Sequence, residues 1–279
     1  MTIKPTTFLT SALLLSSQLA SAAALDFNDF SNTTGLQLNG AATVTGGILR
    51  LTPATNNQSG SVFSSDRIML DANTSFSSMF QFRITNSGGN RDTDGIGADG
   101  LVFVMQTMSN TAGTIGGGMG YKGLSPSFGV EFDTWNNSGW DDNNGNHVGI
   151  DLNGDINSVT QVAVPTRMNN GNVWSAWVDY NSVSDSMEVR LIEGTEEARP
   201  EVALLSYTIS STALPITENG AFFGFTAGTG GAYGAHEILN WSLETHQVAE
   251  PTTLALLGIG FAGLAATRRR QLKTRSVAA

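Results

Sequence analysis

SFSSMFQFRIT, residues 75–85, sets the fold class. Phe76, Phe80, Phe82 and Ile84 alternate with Ser77, Met79, Gln81 and Arg83, the period of a strand with one face in a core and the other toward water. Working outward, further strand-like runs appear at LVFVMQ (101–106), FGVEFD (128–133), HVGIDL (147–152), WSAWVDY (174–180), MEVRLI (187–192), LLSYTI (204–209), FFGFTA (222–227) and ILNWSL (238–243). Clusters of Gly, Asn, Ser and Thr separate them, as turns require. No long amphipathic helix, internal repeat or domain boundary interrupts this series. Many strands with turn-rich connections in one body of about 220 residues predict an antiparallel β-sandwich.

The two ends read differently. Lys4, the apolar run FLTSALLLSSQLA (8–20) and the small residues Ala20-Ser21-Ala22 predict a helical signal peptide over 1–24 and export of the remainder of the chain. At the other end, AEPTTLALLGIGFAGLAATRRRQ (249–271) has an apolar core from 252 to 266 followed by Arg268, Arg269 and Arg270. That core is shorter than the ~20 residues a comfortable membrane span needs. The tail resembles the PEP-CTERM sorting signal, with Ala249 in place of the first proline. The resemblance implies a Gram-negative source, transient membrane association through the sorting machinery, and cleavage near Glu250-Pro251. The expected organisation is therefore a signal peptide (1–24), a β-sandwich (25–245) and a sorting tail with an apolar helix and a basic cluster (246–279).

The chain has no cysteine, and a body of this size has enough buried apolar area to do without disulfides. Between residues 25 and 245 there are 8 basic and 23 acidic side chains, a balance of −15. Such a surface argues against nucleic acid and anionic membrane as ligands. It suits neutral polymers and cations.

Three segments are richer in glycine and asparagine than simple turns need: 87–100, 111–122 and 226–235. Long loops on a rigid sheet are where binding residues concentrate. A fourth, 134–146, carries the chemistry. Glu131 and Asp133 are two apart on a strand and so share a face, and Asn137, Asp142 and His147 lie further along. Carboxylates and an amide suit calcium, and an imidazole among carboxylates suits a transition ion such as manganese. Asp133 or Asp142 could bridge two such ions. An EF-hand is excluded, because after Asp151, Asn153 and Asp155 the position needing glycine is Ile156 and the closing glutamate is Val162.

VEFDTWNNSGWDDNNGNHVGIDLN (130–153) resembles the metal-binding segment of the legume-type lectins: E-x-D, then N four residues on, D five on and H five on. The resemblance implies a concanavalin A-like jelly-roll sandwich. It implies a manganese-like ion held by Glu131, Asp133, Asp142 and His147, and calcium held by Asp133, Asn137, Asp142 and the Trp135 carbonyl. GADGLVFVMQ (97–106) is similar to the family's sugar-binding strand entry, which implies a cis peptide from Ala98 and Asp99 as acceptor of sugar hydroxyls. GGGMGY (116–121) is similar to its glycine loop, with Gly117 as backbone donor. Asn137 would serve both calcium and sugar, and the Trp135 ring would stack on a pyranose face. In TAGTGGAYGAHEILNWSLE (226–244) the resemblance places sugar contacts at Thr229, Gly230 and Gly231. The function implied is that of a calcium-dependent lectin of the cell surface or extracellular matrix, binding glycans or exopolysaccharide. Two rivals share the fold. One is a β-glucanase-like glycoside hydrolase, whose E-x-D-x-(x)-E motif would need a second glutamate where Thr134, Trp135 and Asn136 stand; its absence argues against an enzyme. The other is a structural adhesion protein that binds no sugar.

Overall fold

The computed structural model describes residues 21–113, 116–140, 143–209, 213–215 and 219–247. The first twenty residues of the expected leader, the sorting tail from 248 onward, and Asp142 lie outside them. Among the described residues no helix is long and apolar enough to cross a membrane.

Fifteen strands succeed one another among the described residues. They are β1 (Ser21–Phe27), β2 (Leu36–Gly40), β3 (Thr43–Thr45), β4 (Ile48–Thr52), β5 (Ser59–Ser64), β6 (Thr74–Gly89), β7 (Gly100–Gln106), β8 (Ser127–Asp133), β9 (His147–Leu152), β10 (Thr160–Ala163), β11 (Trp174–Asn181), β12 (Ser186–Glu193), β13 (Leu205–Thr208), β14 (Phe222–Gly228) and β15 (Ala232–Gln247). All pair antiparallel and form two sheets. One runs β13-β12-β11-β6-β15-β4-β3, and the other β10-β9-β8-β7-β14-β5-β2. In the first sheet β15 pairs with β6 along one edge, while its other edge is shared by β4, near Ile238, and β1, from Trp241 to His246. The expected sandwich is therefore present, and every strand-like run overlaps a strand, LLSYTI only over Leu205–Thr208.

The alternation read in 75–85 has its cause in the space between the sheets. Phe76, Phe80, Phe82 and Ile84 are buried there. The ring of Phe80 sits 4.8 Å from that of Phe225 and 5.8 Å from that of Phe103, and Phe82 sits 5.0 Å from Phe132. Trp241 completes the cluster 5.0 Å from Phe225, and its indole N–H donates to Ser78 Oγ at 3.0 Å. Each such side chain contributes roughly 1.5–3 kcal/mol of transfer free energy.

Strand β7 does not alternate, because both of its faces are covered. Leu101, Phe103 and Met105 face the main core, while Val102 and Val104 join a second cluster with Phe63, Met119, Tyr121, Leu124 and Ile156. The Tyr121 hydroxyl accepts from Ser127 Oγ at 2.9 Å and from the Gly154 N–H at 3.2 Å. Burial, then the charge of Asp151, pushes its ionisation upward. The 107–126 connection is thereby anchored to the outer face of the second sheet, beside the carboxylates of β8.

Three boundaries differ from the sequence reading. β1 starts at Ser21, inside the expected leader, because backbone pairing of 21–23 with 244–246 asks little of the side chains. β6 runs on through Gly89, and β15 starts at Ala232, so parts of two segments read as loops are strand. Gly88 is the reason: a Cβ there would lie 2.7 Å from the Tyr233 ring, which occupies that space.

Candidate metal centre and adjoining loops

Glu131 and Asp133 leave β8 on the face opposite the main core, and the register of β9 sets Gly149 beside Glu131 and His147 beside Asp133. Ligand atoms of Glu131, Asp133 and His147 all lie within 4.8 Å of one another, and the three side chains are buried. His147 Nε2 is 2.9 Å from Glu131 Oε1, and Nδ1 is 3.1 Å from the Asn144 carbonyl. An imidazole that donates from Nδ1 to a carbonyl presents Nε2 as a ligand. Two buried carboxylates and that nitrogen need a cation to balance them, and a mixed oxygen and nitrogen set fits a transition ion. The donor set therefore fits a metal ion.

Two neighbours carry no obvious mark in the sequence. Ser158 Oγ lies 2.6 Å from Glu131 Oε1 and 2.7 Å from Asp151 Oδ1. Burial, then the charge of Glu131, pushes the Asp151 carboxyl well above the usual carboxylate range. The Ser158 hydroxyl is the donor toward both carboxylates and bridges them. Gly149 must lack a side chain because Ser158 Oγ and Glu131 Oε1 occupy the place of its Cβ. The one available signal is the alternation of residues 147, 149 and 151, whose side chains share one face.

Asp133 turns the chain out of β8: its Oδ1 accepts the Trp135 N–H at 2.6 Å. Trp135 and Asn137 are half-buried. Thr134 ties this turn to the neighbouring loop, with both its N–H (2.8 Å) and its hydroxyl (3.1 Å) donating to the Asp99 carbonyl. The Ala98-Asp99 peptide is cis, and the buried Asp99 donates its N–H to the Gly228 carbonyl at 3.2 Å.

The glycine loop closes on the same place. A Cβ on Gly117 would fall 2.8 Å from Asn137 Oδ1, and one on Gly230 would fall 3.9 Å from Asp99 Oδ2 and 3.8 Å from Gly116 Cα. Asp99, Gly117, Asn137 and Gly230 thus converge at one end of the second sheet. Thr229 is engaged below them, donating to the Thr55 carbonyl at 2.7 Å and accepting from the Gln58 N–H at 2.8 Å. Asn56 Nδ2 donates to the Gly230 and Gly231 carbonyls at 3.2 and 3.0 Å, and the Asn90 N–H donates to the Gly231 carbonyl at 3.1 Å. Asn56 lies in a stretch whose composition marks only a turn, and Asn90 lies in the glycine- and asparagine-rich 87–100 segment. Of the predicted metal ligands, Glu131, Asp133 and His147 come together, with Trp135 and Asn137 on the turn beside them.

The legume lectin domain profile matches residues 22–257, and the PEP-CTERM protein-sorting motif matches residues 247–270. The L-type lectin-domain containing receptor kinase VIII.1 of Arabidopsis thaliana is 32% identical over 233 residues, covering 78% of this chain and 31% of that one. The Pisum sativum lectin is 30% identical over 158 residues, covering 53% of this chain and 55% of that protein. The chain thus spans about a third of the receptor kinases first matched and about half of the pea lectin. Among solved structures, the winged bean acidic lectin complexed with methyl-α-D-galactose superposes with a TM-score of 0.68 at 27% identity, covering 83% of this chain and all of that one. Peanut lectin with a nine-residue peptide gives 0.67 at 27% identity over 84% of this chain and all of that one.

Proposed function

The chain belongs to the legume lectin domain family and carries a PEP-CTERM sorting motif, and from that premise we propose that it is an exported, metal-dependent carbohydrate-binding protein working at the bacterial cell surface or in the extracellular matrix. The observation that carries this reading is the convergence of Asp99, Gly117, Asn137 and Gly230 beside the buried Glu131–Asp133–His147 cluster. A carboxylate, a carboxamide and a main-chain N–H are the acceptor and donors that vicinal sugar hydroxyls need. Glu131, Asp133 and His147, with Asp142, would hold a manganese-like ion. Asp133, Asn137, Asp142 and the Trp135 carbonyl would hold calcium. Bound ions supply fixed positive charge at the root of the 134–146 loop. The chain's own part is to aim Asn137 at Gly117 and to tie Asp99 to Thr134.

This is a binding protein and not an enzyme. Glu131 and Asp133 are engaged by His147 and by the Trp135 N–H, and Asn136 stands where a glucanase-type acid would be. Gly230 and Gly231 form the rim that selects the sugar, while Thr229, expected there from the sequence, is buried beneath it with its hydroxyl engaged by Thr55 and Gln58; the half-buried Trp135 ring is the stacking platform. Neutral glycans such as exopolysaccharide are the ligand class that suits the acidic body. A helical signal peptide and an apolar sorting helix direct the export.

The test is retention on a polysaccharide matrix. Chelation should abolish retention and calcium should restore it, while Asp99→Ala should bind at least tenfold more weakly with a thermal midpoint close to the parent's. Retention that survives both treatments would place the ligand elsewhere.

A further inference from the structure

Between Asn90 and Ala98 the chain makes a tight excursion, Arg91-Asp92-Thr93-Asp94-Gly95, whose two carboxylates serve neither the metal cluster nor the sugar loops directly. Asp92 Oδ1 accepts the Asp94 and Gly95 N–H groups at 2.9 and 2.7 Å, which shapes the turn. Its other oxygen reaches across and accepts the Asn136 N–H at 2.9 Å. Asp94 Oδ2 accepts the Gly145 N–H at 2.8 Å. Asn136 and Gly145 are the two ends of the segment that contains Asn137 and Asp142. Gly145 has no room for a side chain, since a Cβ would sit 2.6 Å from Asp92 Oδ2 and 2.8 Å from Asp94 Oδ2. Arg167 closes the assembly: its Nη2 donates to the Thr134 carbonyl at 3.1 Å, and its Nη1 lies 3.9 Å from Asp92 Oδ1.

We propose that Asp92 and Asp94, braced by Arg167, are positioning residues that clamp both ends of the metal-binding loop to the loop bearing Asp99, so that the loop keeps its shape before any ion binds. A segment of about ten residues that must be fixed as the ion arrives subtracts its conformational entropy from the ion's affinity. A segment already pinned at both ends subtracts far less. Hydrogen bonds from N–H groups to carboxylates are the stronger kind, and two of them cross between loops here. The same turn leads within five residues to Asp99, so a loop released at 136 and 145 also loses its register against the sugar acceptor. The idea rests on the metal-dependent reading for its consequence but not for its geometry.

Two measurements separate those dependences. In chelated protein, amide hydrogen exchange at Asn136 and Gly145 should be slow in the parent and at least tenfold faster in Asp94→Ala, with no ion or sugar present. Calcium titration, followed by tryptophan fluorescence, should then show half-saturation shifted about five- to tenfold upward in Asp94→Ala. Asp94→Asn, which keeps an oxygen able to accept from Gly145, should restore most of both properties. Parent-like exchange and parent-like half-saturation in Asp94→Ala would overturn the clamp. Equal weakening in the Ala and Asn variants would also overturn it, assigning the effect to lost charge instead. Should Asp94→Ala fail to fold, Gly145→Ala pushes on the clamp from the opposite loop and should give the same faster exchange; unchanged exchange there would likewise overturn it. Failure of the lectin reading would show separately, as a parent that exchanges slowly but has no calcium-dependent retention.

Discussion

His236 is fully buried on β15, with Nδ1 2.6 Å from Thr52 Oγ1 and no hydrogen-bond partner for Nε2 among the described residues. Burial alone pushes its pKa down from 6.5 to about 3. The folded chain therefore refuses a proton that the unfolded chain accepts across that interval, and stability falls as the pH drops from about 6.5 toward about 3. The full effect is on the order of several kcal/mol. His236→Asn keeps a polar partner for Thr52 but does not titrate, so its thermal midpoint should fall less between pH 6.5 and 4 than the parent's. Parallel curves would show that the imidazole does not couple acid to unfolding. At this scale the sequence is most informative where chemistry demands particular atoms. Glu131, Asp133 and His147 are legible because two carboxylates and an imidazole at fixed spacing have few uses. Asp92, Asp94 and Arg167 are not, because their partners are backbone groups roughly thirty to fifty positions away, and backbone groups leave no mark in a sequence.

Among the elements, strands differ in legibility according to how many faces they bury. β6 alternates, since its inner residues meet the opposing sheet and its outer ones meet water. β7 is buried on both faces and reads as a plain apolar run, whereas β8, buried on both faces as well, alternates core residues with Glu131 and Asp133. β5, SGSVFS, escapes a sequence reading: Gly60 packs against the Leu51 carbonyl, so the strand is rich in small residues where a pattern would have shown. The short strand β10 lies at a sheet edge with only one neighbour to constrain it. The β6 pattern carries its own prediction. Phe80 touches four aromatic rings from both sheets, so Phe80→Ala should cost about 3–5 kcal/mol in denaturant unfolding. A loss below about 1 kcal/mol would mean that the sheets close over the gap.

For the whole molecule, the lectin domain and the tail divide the work. Pairing of β1 with β15 brings Ser21 opposite His246 and ends the described sandwich at Gln247, while the sorting motif begins at residue 247. Among the described residues, the apolar clusters between and outside the sheets are built from residues no later than Leu243. A chain stopped after Gln247 should keep the parent's thermal midpoint and calcium-dependent retention but should no longer be retained at the cell envelope. Loss of retention on the polysaccharide matrix in that shortened chain would show that the tail contributes to the binding domain.

The position of β15 has a mechanical consequence. The strand begins at Ala232, directly after the proposed Gly230–Gly231 rim, and ends at Gln247, so a load applied at one end and resisted at the other would run along sixteen residues, roughly 50 Å of extended chain. Tension would run along the covalent backbone of β15, which its ladder with β6 holds extended over nearly its whole length. A cell held to its matrix through this protein would hang from one of the two longest described strands, along the direction in which that strand resists most.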